Sequence, residues 1–193
     1  MRAVHTTADL TLILGPMKSG KSLELVSLLS PLRFAGVPHR IYQSARHVRD
    51  TGVVSRSGGA LETAKVTSLH EALGGSFDVV GVDELHMFSL GDIEVLAQLL
   101  AAGTQVVAAG LDLDHQGRLF TTVAATLELV PGTLIYRRAV CDQCRSLDAT
   151  HTQVLHNGHP YLEDLAGSAL PDTGTFEYEA RCRTCFTGAS RLD

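Results

Sequence analysis

Leu10-Thr11-Leu12-Ile13-Leu14-Gly15-Pro16-Met17-Lys18-Ser19-Gly20-Lys21-Ser22 is the stretch that decides the fold. A short apolar run reads as a buried strand and ends in G-x-x-x-x-G-K-S. Leu23, Leu25, Val26, Leu28, Leu29 and Leu32 then recur at roughly helical spacing. Strand, glycine-rich turn and helix start, in that order, make a P-loop. Glycines let the backbone approach phosphates with its N–H groups turned inward. Lys21 supplies a cation for the β- and γ-phosphates, Ser22 a hydroxyl for Mg²⁺, and the helix N-terminus its dipole. Gly15, Pro16, Met17, Lys18, Ser19, Gly20, Lys21 and Ser22 are therefore expected to hold a nucleoside triphosphate. Pro31 lies inside the helical run and is expected to kink or end it.

Moving outward, residues 37–43 read as a second strand after the Gly36 stop, and the polar, aperiodic residues 44–60 as a mobile loop. Ser68 is placed to cap a short helix over 68–73, with Glu71 at the capping-box position. Residues 77–82 form another apolar strand, 92–102 a helix closed by Gly103, and 105–111 a fourth strand. Strands alternating with helices predict an α/β fold with a parallel sheet. Asp83-Glu84 at the end of the 77–82 run has the Walker B pattern. Asp83 suits Mg²⁺ through water, and Glu84 beside it can take a proton from a nucleophile.

The pattern changes near Thr133, where Leu134, Tyr136 and Val140 alternate with polar residues. Asn157-Gly158 between strand-like arms over 153–162 is a type I′ hairpin signal. Cys141-x-x-Cys144 and Cys182-x-x-Cys185 use all 4 cysteines and flank this region. Two such pairs across a β-rich module point to a closed, structural Zn²⁺ site, the alternatives being redox dithiols or free thiols. The chain thus divides into a P-loop α/β domain over 1–132 and a zinc-ribbon-like β module with a loop over 133–193, in which 166–175 is loop.

Composition limits the partners. The net charge of -5 gains nothing from counterion release on DNA, and 5% aromatics without Trp cannot build a base-stacking platform, so no nucleic acid is expected. The apolar run at 10–14 is far short of the ~20 residues that span a bilayer, and no signal-cleavage pattern follows it. The reading is a cytoplasmic protein without membrane contact, whose thiols stay reduced.

Together these features resemble the type II, zinc-containing thymidine kinases over nearly the whole chain. The matching stretches are Leu14 to Met17 through Lys21-Ser22 and Leu25, Val82-Asp83-Glu84, Gly110-Leu111-Asp112 with Gly117 and Phe120, and Tyr178 to Arg183. The hairpin at Asn157-Gly158 and Val53-Val54-Ser55 fit as well. The resemblance implies transfer of the γ-phosphoryl of ATP, with Mg²⁺, to the 5′-hydroxyl of thymidine, with Glu84 as the base, and a homotetramer. It implies that Arg49 neutralises phosphate charge. A lasso around Thr173, Gly174 and Tyr178 would close over the base, and Met17, Phe88, Leu111, Phe120 and Thr152 would line its pocket. The chain departs from the family at Leu85-His86-Met87-Phe88, where Met87 takes the place of the stacking aromatic, and at Asp114-His115-Gln116-Gly117, where His115 takes that of a second aromatic. Two other readings of the residues stay open: a P-loop ATPase with a zinc ribbon, and a kinase-like nucleotide-binding chain with a drifted base pocket.

Overall fold

The computed structural model describes residues 8–46, 53–54, 60–163 and 174–188. In chain order these form β1 (Leu10–Leu14), α1 (Lys21–Phe34), β2 (His39–Ser44), β3 (Val53–Val54), β4 (Ala60–Leu61), β5 (Thr63–Val66), β6 (Val79–Asp83), α2 (Leu90–Ala101), β7 (Gln105–Gly110), α3 (Thr121–Leu127), β8 (Thr133–Tyr136), β9 (Ala149–His156), β10 (His159–Pro160) and β11 (Glu177–Cys182). Short 3₁₀ turns occupy Leu69–Gly74 and Leu85–Met87.

Six strands pair in the order β5-β2-β6-β7-β1-β8, every neighbour parallel. The central strands β1, β6 and β7 are largely apolar on both faces because both faces are covered. Ile13, Ile41, Val79, Val107 and Ala109 meet Leu25, Val26 and Leu29 of α1 on one face. Leu12, Leu14, Val80, Val82, Val106 and Ala108 face the larger cluster with Ile93, Leu96 and Leu99 of α2 and Val123 of α3. Each fully buried aliphatic there contributes ~1.5–3 kcal/mol. A parallel sheet gathers the C-terminal ends of its strands on one edge, and ligands bind at that edge in open α/β sheets. Leu14, Ser44, Asp83, Gly110 and Tyr136 end the strands there.

Several expectations are corrected. Pro31 neither ends α1 nor stops its last turn: the helix runs to Phe34, and the Ala35 N–H closes onto the Pro31 carbonyl at 3.1 Å. The carbonyl that Pro31 leaves without a donor is that of Ser27, an exposed residue that water can serve. The helix ends instead at Gly36, φ 66°, with the Val37 N–H on the Leu32 carbonyl at 3.0 Å. The 68–73 element is a 3₁₀ turn capped by Ser68, yet its second cap is Asp92, not Glu71: Asp92 Oδ1 accepts from Leu69 N–H at 2.6 Å and Ser68 Oγ at 2.7 Å. Asp92 Oδ2 accepts from Ser89 N–H at 2.9 Å and completes the capping box of α2, which therefore starts at Leu90, before the residue expected. The loop expected over 44–60 contains the antiparallel pair β3–β4, while 47–52 and 55–59 lie outside the described residues. Helix α3 was not expected; it is short, rich in β-branched residues and lacks a side-chain cap. Thr133–Tyr136, expected to open the β module, is the edge strand of the main sheet, parallel to β1.

The small sheet has the order β10-β9-β11. Asn157 (φ 52°) and Gly158 (φ 76°) make the hairpin turn between β9 and β10, as their residue types predict. Ala139, Cys141, Ala149, Ala180 and Cys182 form its compact core. Among the described residues, no helix is long and apolar enough to cross a membrane.

Candidate active site

The P-loop connects β1 to α1. Gly15 has φ 146°, and a Cβ there would stand 2.2 Å from the Arg137 carbonyl oxygen, so the position admits no side chain. Gly20, φ 82°, opens α1 without a side-chain cap, leaving the first-turn N–H groups directed at the loop's hollow. Lys21 is buried, and its Nζ donates to the Pro16 carbonyl at 2.7 Å and approaches Ser19 Oγ at 3.5 Å. Burial lowers its pKa, while Glu84, Asp83 and Asp112 oppose that shift by their charge.

Asp83 ends β6 on the face that α1 covers. Ser22 Oγ lies 3.2 and 3.4 Å from its two carboxylate oxygens, and the Glu84 N–H donates to Oδ1 at 3.0 Å. Burial, with the neighbouring Glu84 charge, pushes Asp83 up to about 7, against the pull of the Glu84 N–H, Ser22 and Lys21. Gln43 is the register partner of Asp83 on β2 and therefore shares its face. The Gln43 Oε1 is buried and has no hydrogen-bond partner among the described residues. A hydroxyl and a buried carboxylate whose ionisation burial resists, with the Gln43 side chain on the same face of the neighbouring strand, bring oxygen donors to the strand ends. This donor set fits Mg²⁺, which binds few protein oxygens and keeps much of its water.

Glu84 takes the left-handed conformation, φ 56° and ψ 42°, which costs a non-glycine residue ~1–2 kcal/mol. Its side chain is 18% exposed, with Oε2 3.6 Å from His86 Nδ1. That Nδ1 also accepts the Leu111 N–H at 3.2 Å. Gly110 lets the 85–87 turn come this close: a Cβ on it would lie 3.1–3.2 Å from Leu85 and His86 atoms. His86 is covered by Phe120, ring centroids 5.0 Å apart.

The residues expected around a base divide. Phe88, Leu111 and Phe120 belong to the buried core, and Met17 packs at its edge. Met87 is half-buried, its carbonyl 3.4 Å from an Arg46 guanidinium nitrogen. Thr152 is buried on β9 and uses its hydroxyl on the Met17 N–H at 3.0 Å. The buried His115 engages the chain beyond the hairpin: its Nε2 lies 2.7 Å from the Glu163 carbonyl and its ring 5.5 Å from that of Tyr161. Gly174 has φ 78°, and Tyr178 lies opposite Val154 in the small sheet. Arg49 and Thr173 lie outside the described residues.

Sequence reasoning missed several members. Tyr161 and Phe176, with ring centroids 5.0 Å apart, bring the flanks of the lasso segment together beside His156. Arg137 reaches across the back of the P-loop to the Ser19 carbonyl at 3.5 Å and Glu24 at 3.2 Å. The buried Asp112 accepts the Tyr136 hydroxyl across β1, and burial and that bond raise the Tyr136 pKa. No local pattern marks Arg137 or Tyr136; Asp112 falls in a stretch quoted for the resemblance without a role, and an aromatic near each end of the lasso was the one other signal.

The four cysteines converge, with all ligand atoms within 4.8 Å of one another and Cys144 and Cys182 sulfurs 3.6 Å apart. Zn–S bonds of ~2.3 Å in a tetrahedron place sulfurs ~3.8 Å apart, so the set fits Zn²⁺. Burial raises the Cys141 thiol, but N–H groups of Cys144, Cys182 and Gln143 more than reverse this, to about 6. Burial and the surrounding thiols push Cys185 up to about 12.

The family model for thymidine kinases matches residues 8–186. Thymidine kinases from two strains of Chloroflexus aurantiacus are 35% identical over 185 residues, covering 92% of this chain and 93% of theirs. The thymidine kinase of Thermococcus kodakarensis is 30% identical over 193 residues, covering 95% of this chain and 96% of its own. Among solved structures, replication initiator DnaA bound to AMPPCP and single-stranded DNA aligns at a TM-score of 0.43 and 14% identity, over 71% of this chain and 42% of that one. That last likeness is too partial to bear on function.

Proposed function

The chain belongs to the thymidine kinase family, and on that premise we propose that it transfers the γ-phosphoryl group of ATP to the 5′-hydroxyl of thymidine. The observation that carries this reading is the pairing of Ser22 with Asp83 beneath the P-loop, with Glu84 adjoining at the end of β6.

The P-loop N–H groups and Lys21 bind the triphosphate, and the ammonium exchanges its contact with the Pro16 carbonyl for phosphate oxygens. Ser22 and Asp83 would hold Mg²⁺, which when bound neutralises charge on the β- and γ-phosphoryl oxygens. Glu84 accepts the proton of the 5′-hydroxyl as its oxygen bonds to the γ-phosphorus and the bond to the β–γ bridging oxygen breaks, releasing ADP. The left-handed backbone of Glu84 and the packing of the 85–87 turn against Gly110 fix where this carboxylate stands. His86 holds that turn through the Leu111 N–H. At the other end, His115 anchors Tyr161–Glu163 and so shapes the wall against which a base would lie. The four cysteines hold structural zinc in this reading, with no open position for catalysis.

Steady-state ADP release with ATP and Mg²⁺, each deoxynucleoside added in turn, tests the proposal. Release that depends on thymidine supports it. Release without nucleoside identifies an ATPase, and ATP binding without any nucleoside-dependent release identifies a non-catalytic relative.

A further inference from the structure

Two consecutive P-loop residues are tied to the cysteine module by contacts that the chemistry above does not use. Met17 donates its N–H to Thr152 Oγ1 at 3.0 Å, and Lys18 Nζ reaches Asp142 Oδ2 at 2.8 Å. Lys18 has φ 61°, a strained backbone for a side-chain-bearing residue, and its ammonium is committed to Asp142. Asp142 sits inside the first cysteine pair, between Cys141 and Gln143. Its Oδ2 also accepts the Ala180 N–H at 2.7 Å, and its own N–H donates to the Ala180 carbonyl at 2.8 Å. Ala180 lies two residues before Cys182 and is the register partner of Thr152 in the small sheet. Asp142, Ala180 and Thr152 thus form one patch, located by both cysteine pairs, that grips the phosphate loop at two successive residues.

We propose that Asp142, acting through Lys18, and Thr152, acting through the Met17 N–H, are positioning residues that brace the P-loop in its phosphate-receiving shape, so that zinc occupancy and nucleotide affinity are linked. This rests on the reading of the four cysteines as a zinc site and of the P-loop as the triphosphate site. Linkage is reciprocal: if the zinc-held module tightens nucleotide binding, bound nucleotide must retain zinc by the same factor.

A rival role for Lys18, a simple positive charge near the phosphates, predicts the opposite sign at its partner. Neutralising Asp142 would then leave a freer cation and tighten binding. A double-mutant cycle on the full-length, zinc-loaded protein separates the two, using the affinity for β,γ-methylene-ATP in wild type, Asp142→Asn, Lys18→Met and the double variant. Asn keeps an oxygen for the Ala180 N–H, so the module stays folded, and zinc content is measured on each sample. The brace predicts that Asp142→Asn weakens binding by about 3-fold, the size of a partly exposed ion-pair effect, and that the double variant is no weaker than Lys18→Met. Thr152→Val weakens binding independently. Zinc transfer to a chromogenic chelator slows when wild type is saturated with the analogue, and slows less in Asp142→Asn. Unchanged or tighter binding in Asp142→Asn, or zinc release indifferent to the analogue in wild type, overturns the proposal. Wild type that carries no zinc, or that binds no analogue, also overturns it, and the metal analysis or the wild-type titration then identifies which premise failed.

Discussion

On the proposed reading, the phosphate end of the site is one uninterrupted stretch, Gly15 to Ser22, joined by Asp83 and Glu84 at the end of β6. The residues that the proposed reading assigns toward the base, Met87, His115, Thr152, Tyr161 and Phe176, lie on five separate segments. At the first end the proposed reading gives the binding to the backbone, so geometry follows from the positions of Gly15 and Gly20 and the start of a helix. At the second, the candidate side chains come from distant segments, His115 meeting Tyr161 and Tyr161 meeting Phe176, and a histidine occupies a place where the family resemblance expects an aromatic. Function concentrated in backbone geometry tolerates side-chain drift elsewhere; function assembled from side chains is re-negotiated whenever one of them changes.

The contrast can be broken or sharpened by experiment. The largest expected effect is that of metal removal. Stripping zinc by chelation takes several kcal/mol of folding energy from the module that carries Thr152 and adjoins Phe176. At ~2–4 °C per kcal/mol for a chain of this size, the melting temperature should fall by about 10 °C in a thermal scan. An unchanged melting curve after verified zinc loss would dissolve the structural role of the cysteines. Next is Lys21→Ala, which removes the buried cation at the phosphate end and should slow turnover by about 10²–10³-fold. Near-normal turnover would mean that the loop does not receive the transferring phosphoryl.

Asp92 belongs to neither end and serves as the contrast's control. Burial raises its pKa, but hydrogen bonds from Ser68, Ser89 and Leu69 outweigh this and hold it below the ordinary carboxylate range. A depressed folded-state pKa stabilises the fold above the unfolded value of ~3.9, and that stability fades as pH falls through the folded-state value. Asp92→Asn should therefore lower unfolding free energy at pH 7 by about 2 kcal/mol, with the gap narrowing below about pH 4, while the KM values stay fixed. The smallest effect falls on the assembled end. His115→Ala loses the link to the Glu163 carbonyl and the Tyr161 ring, and should raise the nucleoside KM about 10-fold with ATP affinity unchanged. Equal effects on both substrates would erase the division drawn here.

The same division governs what could be read in advance. β1, the P-loop, Asp83-Glu84 and the Asn157-Gly158 hairpin are legible because each is a local pattern whose backbone geometry follows from contiguous residues. The Cys pairs are legible because their spacing leaves few other uses. Thr133–Tyr136 misled because this edge strand is mostly exposed, unlike the continuously buried β1 beside it, and so lacks the mark of a parallel core strand. Pro31 misled because the rule against it assumes that a lost helix bond is felt, and on an exposed last turn water replaces the donor. Gln43, Arg137 and Asp142 carried no signal at all. Their roles arise where β2 aligns with β6, where β8 lies beside β1, and where a cysteine turn meets Lys18, and those meetings exist only once the chain has folded.

The most direct test of the central claim uses [γ-³²P]ATP and thymidine with wild type and Glu84→Gln, measuring labelled thymidine monophosphate and ATP affinity on the same preparations. The account predicts label on the nucleoside with wild type and a loss of about 10²–10⁴-fold in Glu84→Gln at unchanged ATP affinity. Full transfer by Glu84→Gln, or no labelled thymidine monophosphate from a wild type that binds ATP, would contradict it.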